Sequence, residues 1–369
     1  MRVVFFGTYN TKTTHRVQVM IDGFRARGVE VIECNVPLPI TTATRVAIAR
    51  QPWRLPVLAF RILQCWFALL RAARRLPPRD AVVVGYLGHF DVHLARWIFR
   101  RRPIALDYLV SGSDTVRDRN ASSGLKDKLL VWLDKAALRT ADIAIGDTQE
   151  HLDRLPEKYR HKGVVALVGA PQSWFDAAAA VKNDGKHQPL RVIFFGLYTP
   201  LHGTPTIGKA LSLVQEKMDV TMAGTGQDEA ETKRLGGKSG KHVRITWLDW
   251  VNAPEIATHD VCLGIFGTGP KSYRVVPNKM YQGAALRCAL VTADTPPQRR
   301  VLSAATRFVA PGDAQGLADV LDGLARHPAQ VAKLRTAAQK LAQQQFTPQQ
   351  VIVPLLQKFQ EKAANGQQD

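Results

Sequence analysis

Short apolar runs recur along this chain and alternate with longer stretches whose apolar positions repeat every three or four residues. In the first half, Val3–Phe6, Val29–Cys34, Ala81–Gly85, Ile104–Leu109, Ile143–Gly146 and Val164–Val168 read as strands. Between them, Thr14–Arg27, Val57–Arg75, Phe90–Arg100 and Leu125–Thr140 carry a helical period. Nearly continuous apolar strands separated by helices predict a parallel sheet with crossover helices. The stretch from Gly169 to Pro189, rich in Ala, Lys, Asn, Asp and Gly, breaks this rhythm and reads as a linker. The rhythm then restarts, with strands expected at Arg191–Gly196, Val220–Gly224, Val243–Trp247, Val261–Ile265, Ala289–Thr292 and Arg307–Val309. Helices are expected near Pro205–Gln215, Asp228–Leu235, Met280–Leu286 and Ala314–Leu324, and a last one, interrupted by Pro354, from Phe346 to Lys362.

The pattern predicts an α/β protein of two Rossmann-like, doubly wound domains. The first covers 1–170, the linker 171–189 and the second 190–345. The near-identity of Phe5-Phe6-Gly7-Thr8-Tyr9 and Phe194-Phe195-Gly196-Leu197-Tyr198 supports two similarly built halves. Doubly wound sheets bind ligands at the carboxyl ends of their strands, where both of these segments lie.

Length and composition agree with this division: 369 residues with 46% hydrophobic content suit two cores. Cys34, Cys65, Cys262 and Cys288 lie far apart without a C-x-x-C pair, and read as buried free thiols of a reducing, cytoplasmic compartment. The formal charge of +19 calls for an anionic partner. No nucleic-acid motif or stacking pattern is present. A membrane surface fits better, because no acid occurs between Glu33 and Asp80 while Arg45, Arg50, Arg54, Arg61, Arg71, Arg74, Arg75 and Arg79 do. Within that interval Leu55–Leu70, with Trp53, Trp66 and Phe67, is too short and polar to span but suits an interfacial helix on the inner face of the cell membrane. The alternative is a core helix with solvated ends. Metal ligation is not expected: no D-x-D pair exists, and His89 and His93 lack a third partner. A serine hydrolase is excluded by the absence of a G-x-S-x-G elbow.

The chemistry concentrates between Gly264 and Thr292. The glycine-bearing loop Gly267-Thr268-Gly269 is followed by Lys271, Arg274 and Lys279, and Pro277-Asn278 precedes an apolar helix. Glycines allow close backbone approach, a helix start offers free N–H groups, and cations supply charge, which together predict a diphosphate site. In the first half, Gly88-His89-Phe90-Asp91 and Asp107-Tyr108-Leu109-Val110-Ser111-Gly112-Ser113-Asp114 follow strands, where a second substrate would enter; Asp91 and Asp114 are alternatively helix caps, as is Asp147-Thr148.

Pro277, Lys279, Gln282, Ala284 and Ala285 resemble the donor-domain helix of glycosyltransferase family 4 and its GT-B relatives. Phe194–Gly203 looks like the family's phosphate loop, Met222–Gly226 its strand and G-x-G, and Trp247–Val251 its loop beside the base. Where the family carries two glutamates eight positions apart, this chain has Arg274 and Gln282, and the phosphate-loop Arg and Lys are Leu197 and His202. The resemblance implies two domains facing a cleft, with a C-terminal helix, about 346–369, crossing back to the first. It implies a glycosyltransferase that moves a sugar from a nucleotide-diphosphate-sugar donor to an acceptor hydroxyl, retaining, metal-independent and without a cofactor. Lys279, Arg274, Lys271, His89 and Asp91 are the expected catalytic residues. Gly196, His202, Gly203, Gly224, Trp250, Gly267, Thr268, Gly269, Asn278 and Gln282 are expected to bind the donor. Gly7, Thr8, Asp107, Ser111, Asp114 and Arg119 are expected on the acceptor side, with an acceptor that is lipid-linked or close to a membrane. A nucleotide-sugar epimerase or hydrolase, and a non-catalytic sugar or nucleotide binder, are the other readings of the same fold.

Overall fold

A computed structural model describes residues 1–11, 14–38, 55–109 and 124–365. Chain contacts divide it into two units, Met1–Ala166 with Ile352–Asp369, and Leu167–Val351. The first unit runs β1 (Arg2–Gly7), α1 (His15–Ala26), β2 (Glu30–Asn35), α2 (Leu55–Ala73), β3 (Ala81–Val84), α3 (Asp91–Ile98), β4 (Ile104–Asp107), α4 (Gly124–Thr140), β5 (Ile143–Gly146), α5 (Gln149–Asp153) and β6 (Gly163–Val165). The strands form one parallel sheet in the order β2-β1-β3-β4-β5-β6. β3, β4 and β5 are buried at every position, which is why their sequences lack polar alternation.

The chain leaves β1 for β2 on one side and returns to β3 on the other, so the sheet changes direction between β1 and β3. The loops after these two strands therefore flank the switch point. Thr148 caps α5 as expected, accepting from the His151 N–H at 3.3 Å. Beneath β4, β5 and β6 the buried Arg16 of α1 pairs with Asp107 at 3.0 Å and donates to the carbonyls of Ala166 and Gly146. That guanidinium ties three strand ends to one helix.

The second unit runs α6 (Gln172–Ala180), β7 (Leu190–Phe195), α7 (Thr204–Leu211), β8 (Met218–Ala223), α8 (Glu229–Gly236), β9 (Val243–Leu248), β10 (Val261–Leu263), α9 (Asn278–Ala285), β11 (Ala289–Ala293), α10 (Pro296–Leu302), β12 (Thr306–Val309), α11 (Ala314–Arg326) and α12 (Pro328–Leu341). Its sheet, again parallel, has the order β12-β11-β10-β7-β8-β9 and switches direction between β7 and β10.

The stretch expected as a linker is part of this unit. Trp174 of α6 stacks on Phe195 with centroids 6.0 Å apart, and Ala178 is buried. Beyond it, Asn183 donates to the carbonyls of Ala257 and His259, and the buried Arg335 of α12 donates to Asn183 and contacts Asp260 at 3.4 Å. Composition misleads here because Asn183 is spent on internal bonds and Ala178 and Trp174 pack inward, although Lys182, Asp184 and Lys186 are exposed. The interruption at Pro354 falls in the first turn of α13 (Val353–Asn365), where a proline costs no helical bond. α13 belongs to the first unit, packing on β6 with Phe359 6.4 Å from Phe24 of α1.

Candidate functional site

The loops after β7 and β10 meet at the switch point of the second sheet. Gly203, at φ +61°, sits so close to the β10 loop that a Cβ there would lie 2.5 Å from the Gly267 nitrogen. A Cβ on Gly267 would in turn lie 2.2 Å from the Pro200 carbonyl. The Phe266 N–H donates to the His202 carbonyl at 2.9 Å and closes the junction. The β8 loop joins the same cluster, since a Cβ on Gly224 would fall 1.9 Å from the Gly196 carbonyl. Any side chain at these glycines would push apart backbones that the site requires in contact. Gly196, His202, Gly203, Gly224 and Gly267 are thus brought together.

Lys279 enters this cluster from the first turn of α9. It is 4% exposed, and its Nζ is buried with no hydrogen-bond partner. The ammonium lies 3.7 Å from the centroid of the Phe194 ring, and a Cβ on Gly196 would meet it at 3.2 Å. Burial pushes its pKa down to about 7. An aromatic face attracts a cation but donates and accepts nothing, so three N–H donors remain unspent. A buried polar group without a partner costs roughly 1–3 kcal/mol, more when charged. Such a group calls for an explanation, and an anionic ligand is one that supplies both charge and acceptors.

His202 shares the pocket. Burial first, then the charge of Lys279, push its pKa down to about 3, with Lys271 adding to the same effect. The imidazole is therefore neutral at physiological pH. Its Nδ1 faces the Leu197 carbonyl, which only accepts, so the ring proton sits on Nδ1. Nε2 keeps its lone pair and is an acceptor, and the neutral ring brings no positive charge to the site.

The other expected residues surround this centre at varying distance. Lys271 is half-buried in a short helical turn, where the Ser272 N–H donates to the Gly269 carbonyl. Arg274 is half-buried and donates through Nε to the Pro270 carbonyl at 3.1 Å. Thr268 and Gly269 are exposed, and Asn278 is exposed at the start of α9. Gln282 is buried one turn beyond Lys279, on the same side of the helix. Trp250 is 74% exposed beyond the end of β9, the edge strand, and is not drawn into the cluster. Two buried residues escaped the sequence reading. Phe194 provides the ring beneath Lys279, and the Tyr198 hydroxyl is buried without a partner. The Phe-Phe-Gly segment was the available signal for the first of them.

At the switch point of the first sheet Gly7, Thr8 and Asp91 are engaged with one another, while His89 Nε2 and, at the end of β4, Asp107 Oδ2 are buried with no hydrogen-bond partner. Asp91 is buried and accepts from the Thr8 N–H at 2.7 Å, the Thr8 hydroxyl at 2.8 Å and the Trp66 indole at 2.9 Å. A Cβ on Gly7 would meet its Oδ2 at 2.8 Å. Asp91 lies in the first turn of α3 but caps nothing, since its carboxylate turns to β1 and α2. Asp91, expected among the catalytic residues, is thus held by internal hydrogen bonds through both of its oxygens. Asp107 pairs with Arg16 through Oδ1, and burial outweighs that guanidinium and raises its pKa. His89 lies 3.4 Å from Asp134 against the Tyr108 ring, and burial lowers its pKa. Ser111, Asp114 and Arg119 lie outside the described residues. Among the described residues no group of three or more His, Cys, Asp or Glu side chains is placed to hold a metal ion.

No family model matches this sequence, and no curated protein matches it. Solved structures do. HepE from Anabaena, in complex with UDP, is 13% identical, with a TM-score of 0.65 over 99% of this chain and 100% of that one. A glycosyltransferase from Rickettsia africae is 13% identical, with a TM-score of 0.64 over 98% of both chains. A UDP-forming α,α-trehalose-phosphate synthase from Burkholderia vietnamiensis is 13% identical, with a TM-score of 0.64 over 98% of this chain and 99% of that one. Two six-stranded parallel sheets with flanking helices, matched over nearly the whole length, give this chain the GT-B fold.

Proposed function

We propose that this chain is a glycosyltransferase that moves a sugar from a nucleotide-diphosphate donor to an acceptor hydroxyl. The observation that carries this reading is Lys279, a buried ammonium with no partner at the switch point of the second sheet. A diphosphate supplies the charge and acceptor oxygens it lacks. The UDP held by HepE, and the UDP formed by the trehalose-phosphate synthases, support a nucleotide diphosphate as the leaving group.

In this reading the bond from the anomeric carbon to the diphosphate breaks as the bond to the acceptor oxygen forms. Negative charge grows on the departing phosphate. Lys279, with Lys271, Arg274 and the backbone N–H groups of Gly267–Gly269, stabilises that charge without a metal. Fixed charges and dipoles aimed at developing charge contribute more to catalysis than any other feature of such a site. The reaction retains anomeric configuration, and the departing phosphate oxygen takes the acceptor proton. The neutral His202 accepts from a hydroxyl of the donor sugar, and Gln282 hydrogen-bonds the donor without charge. The acceptor is borne at a membrane surface on the inner face of the cell membrane.

The experiment is release of nucleoside diphosphate from a panel of nucleotide sugars, with and without candidate acceptors. Acceptor-dependent release supports transfer. Release without acceptor assigns a hydrolase. Arg274 and Gln282, standing where the family has glutamates, favour one further reading, a non-catalytic binder, and tight nucleotide binding with no release in any arm assigns that.

A further inference from the structure

The first unit carries an apolar face that no other described part of that unit covers. α2 buries Cys65, Leu69 and Ala73 against the sheet. Its opposite side presents Val57, Phe60, Leu63 and Phe67, with Phe60 61% and Phe67 62% exposed. These positions fall on one stripe of the helix. A soluble helix normally turns such a stripe inward, and contiguous exposed apolar surface marks an interaction site. α3 packs beside α2, and α4 beside α3. Each adds an exposed tryptophan: Trp97, 58%, on α3 and Trp132, 62%, on α4. Leu129 lies one turn before Trp132 and is exposed as well.

The border of this face is basic. Arg61 and Arg71 are exposed on α2, with the Arg71 guanidinium 5.8 Å from the Phe67 ring. Arg74 and Arg75 follow directly, and the exposed Lys128 and Lys135 flank Trp132. α2 contains no acid; Asp91 and Asp134 of α3 and α4 are buried, and Asp127 stands between Lys126 and Lys128.

The segment Pro56–Ala73 has a mean hydropathy of 1.3 and is long and apolar enough to cross a membrane. Its packing argues for another placement. Cys65, Leu69 and Ala73 hold it on the sheet, and the Trp66 indole is bonded to Asp91. A helix anchored in this way meets a bilayer side-on.

We propose that α2, α3 and α4 form a docking face for an anionic lipid bilayer, with the aromatic side chains at headgroup depth and the arginines and lysines on lipid phosphates. Aromatic and basic residues together are what the interface of an anionic leaflet selects. A symmetric pairing of two copies through this face would bring its cations against themselves. The inference deepens the acceptor side of the reading above, and it stands on a different unit from the donor site.

The test is flotation of the full chain with vesicles of phosphatidylcholine alone, or with a third phosphatidylglycerol, at low and high salt. Wild type is expected to float only with the anionic vesicles, and less at high salt. Each basic residue near such a surface is worth about fivefold in affinity. Arg71→Gln/Arg74→Gln/Arg75→Gln is therefore expected to bind at least tenfold more weakly. Phe60→Ser/Phe67→Ser/Trp132→Ser is expected to lose binding and the accompanying tryptophan fluorescence shift. Both variants should keep wild-type UDP affinity, which reports folding and the donor site separately from the membrane. Wild type that ignores anionic vesicles, or variants that are folded and float like wild type, would overturn the proposal. So would a concentration-dependent dimer, abolished by the aromatic variant, in a protein that does not float; that result assigns the face to a second copy.

Discussion

The loops after β1 and β7 carry the same residue types, Phe-Phe-Gly-x-Tyr, at the switch points of two similar sheets, but different side chains pack beneath their glycines. Under Gly7 lies Asp91, which accepts three hydrogen bonds from Thr8 and Trp66. Under Gly196 lies Lys279, which has an aromatic ring and no hydrogen-bond partner. The carboxylate under Gly7 is hydrogen-bonded through both oxygens within its own unit, and the ammonium under Gly196 has no hydrogen-bond partner. The comparison teaches that a strand-end glycine with a charged neighbour is not by itself a binding site. The state of that neighbour's hydrogen bonds decides whether a ligand is needed.

The largest effect expected in the first unit is structural. Asp107→Ala leaves Arg16 buried and uncompensated, and should lower unfolding free energy by about 3–5 kcal/mol, read by chemical denaturation. UDP affinity of the folded fraction should not change. A large loss of affinity without loss of stability would instead return Asp107 to the substrate side.

Asp91→Ala leaves the Thr8 and Trp66 donors unpaired and should cost about 1–3 kcal/mol in the same measurement. Turnover lost in a protein of wild-type stability would erase the contrast between the two switch points. The contrast is sharpened by Lys279→Met, which removes an unpartnered ammonium and should not destabilise the protein at neutral pH.

The pH dependence of that pair has a definite sign. In the folded protein Lys279 loses its proton near pH 7, and in the unfolded chain near 10.4, the ordinary lysine value. Between these values the unfolded state holds the extra proton, so stability rises with pH. Wild type should gain on Lys279→Met by about 1.4 kcal/mol per pH unit between about 7 and 10. Parallel profiles would mean that the ammonium is not buried. The smallest effect is expected from chelation. Transfer should be unchanged by excess chelator, since cations and backbone N–H groups carry the diphosphate charge; loss of activity restored by magnesium or manganese would reject that site.

Most of the strands were legible because central parallel strands are apolar throughout, as in Ala81–Val84 and Ile143–Gly146. Lys279 was legible from its place between Pro277-Asn278 and an apolar helix. The bonds that set roles were not. Trp66 and Asp91 are 25 residues apart, and Arg16 and Asp107 are 91 apart, so nothing local announces either pair. α12 was missed because its alanines, lysines and glutamines show little amphipathic contrast, although Val331 and Leu334 bury it. The sequence around α2 showed an apolar helix between arginines, but only the packing of Cys65 and Leu69 decides which side faces out.

The central claim is that Lys279 awaits a diphosphate, and calorimetry of UDP binding tests it most directly. Titration into wild type and Lys279→Met, at pH 8.5 in two buffers of different ionisation enthalpy, should show proton uptake by wild type only, because the bound anion restores the charge that burial removes. The variant should bind about 1.5–3 kcal/mol more weakly, the range for hydrogen bonds to a charged group. Equal affinity in a folded variant, with no difference in proton uptake, would contradict the account.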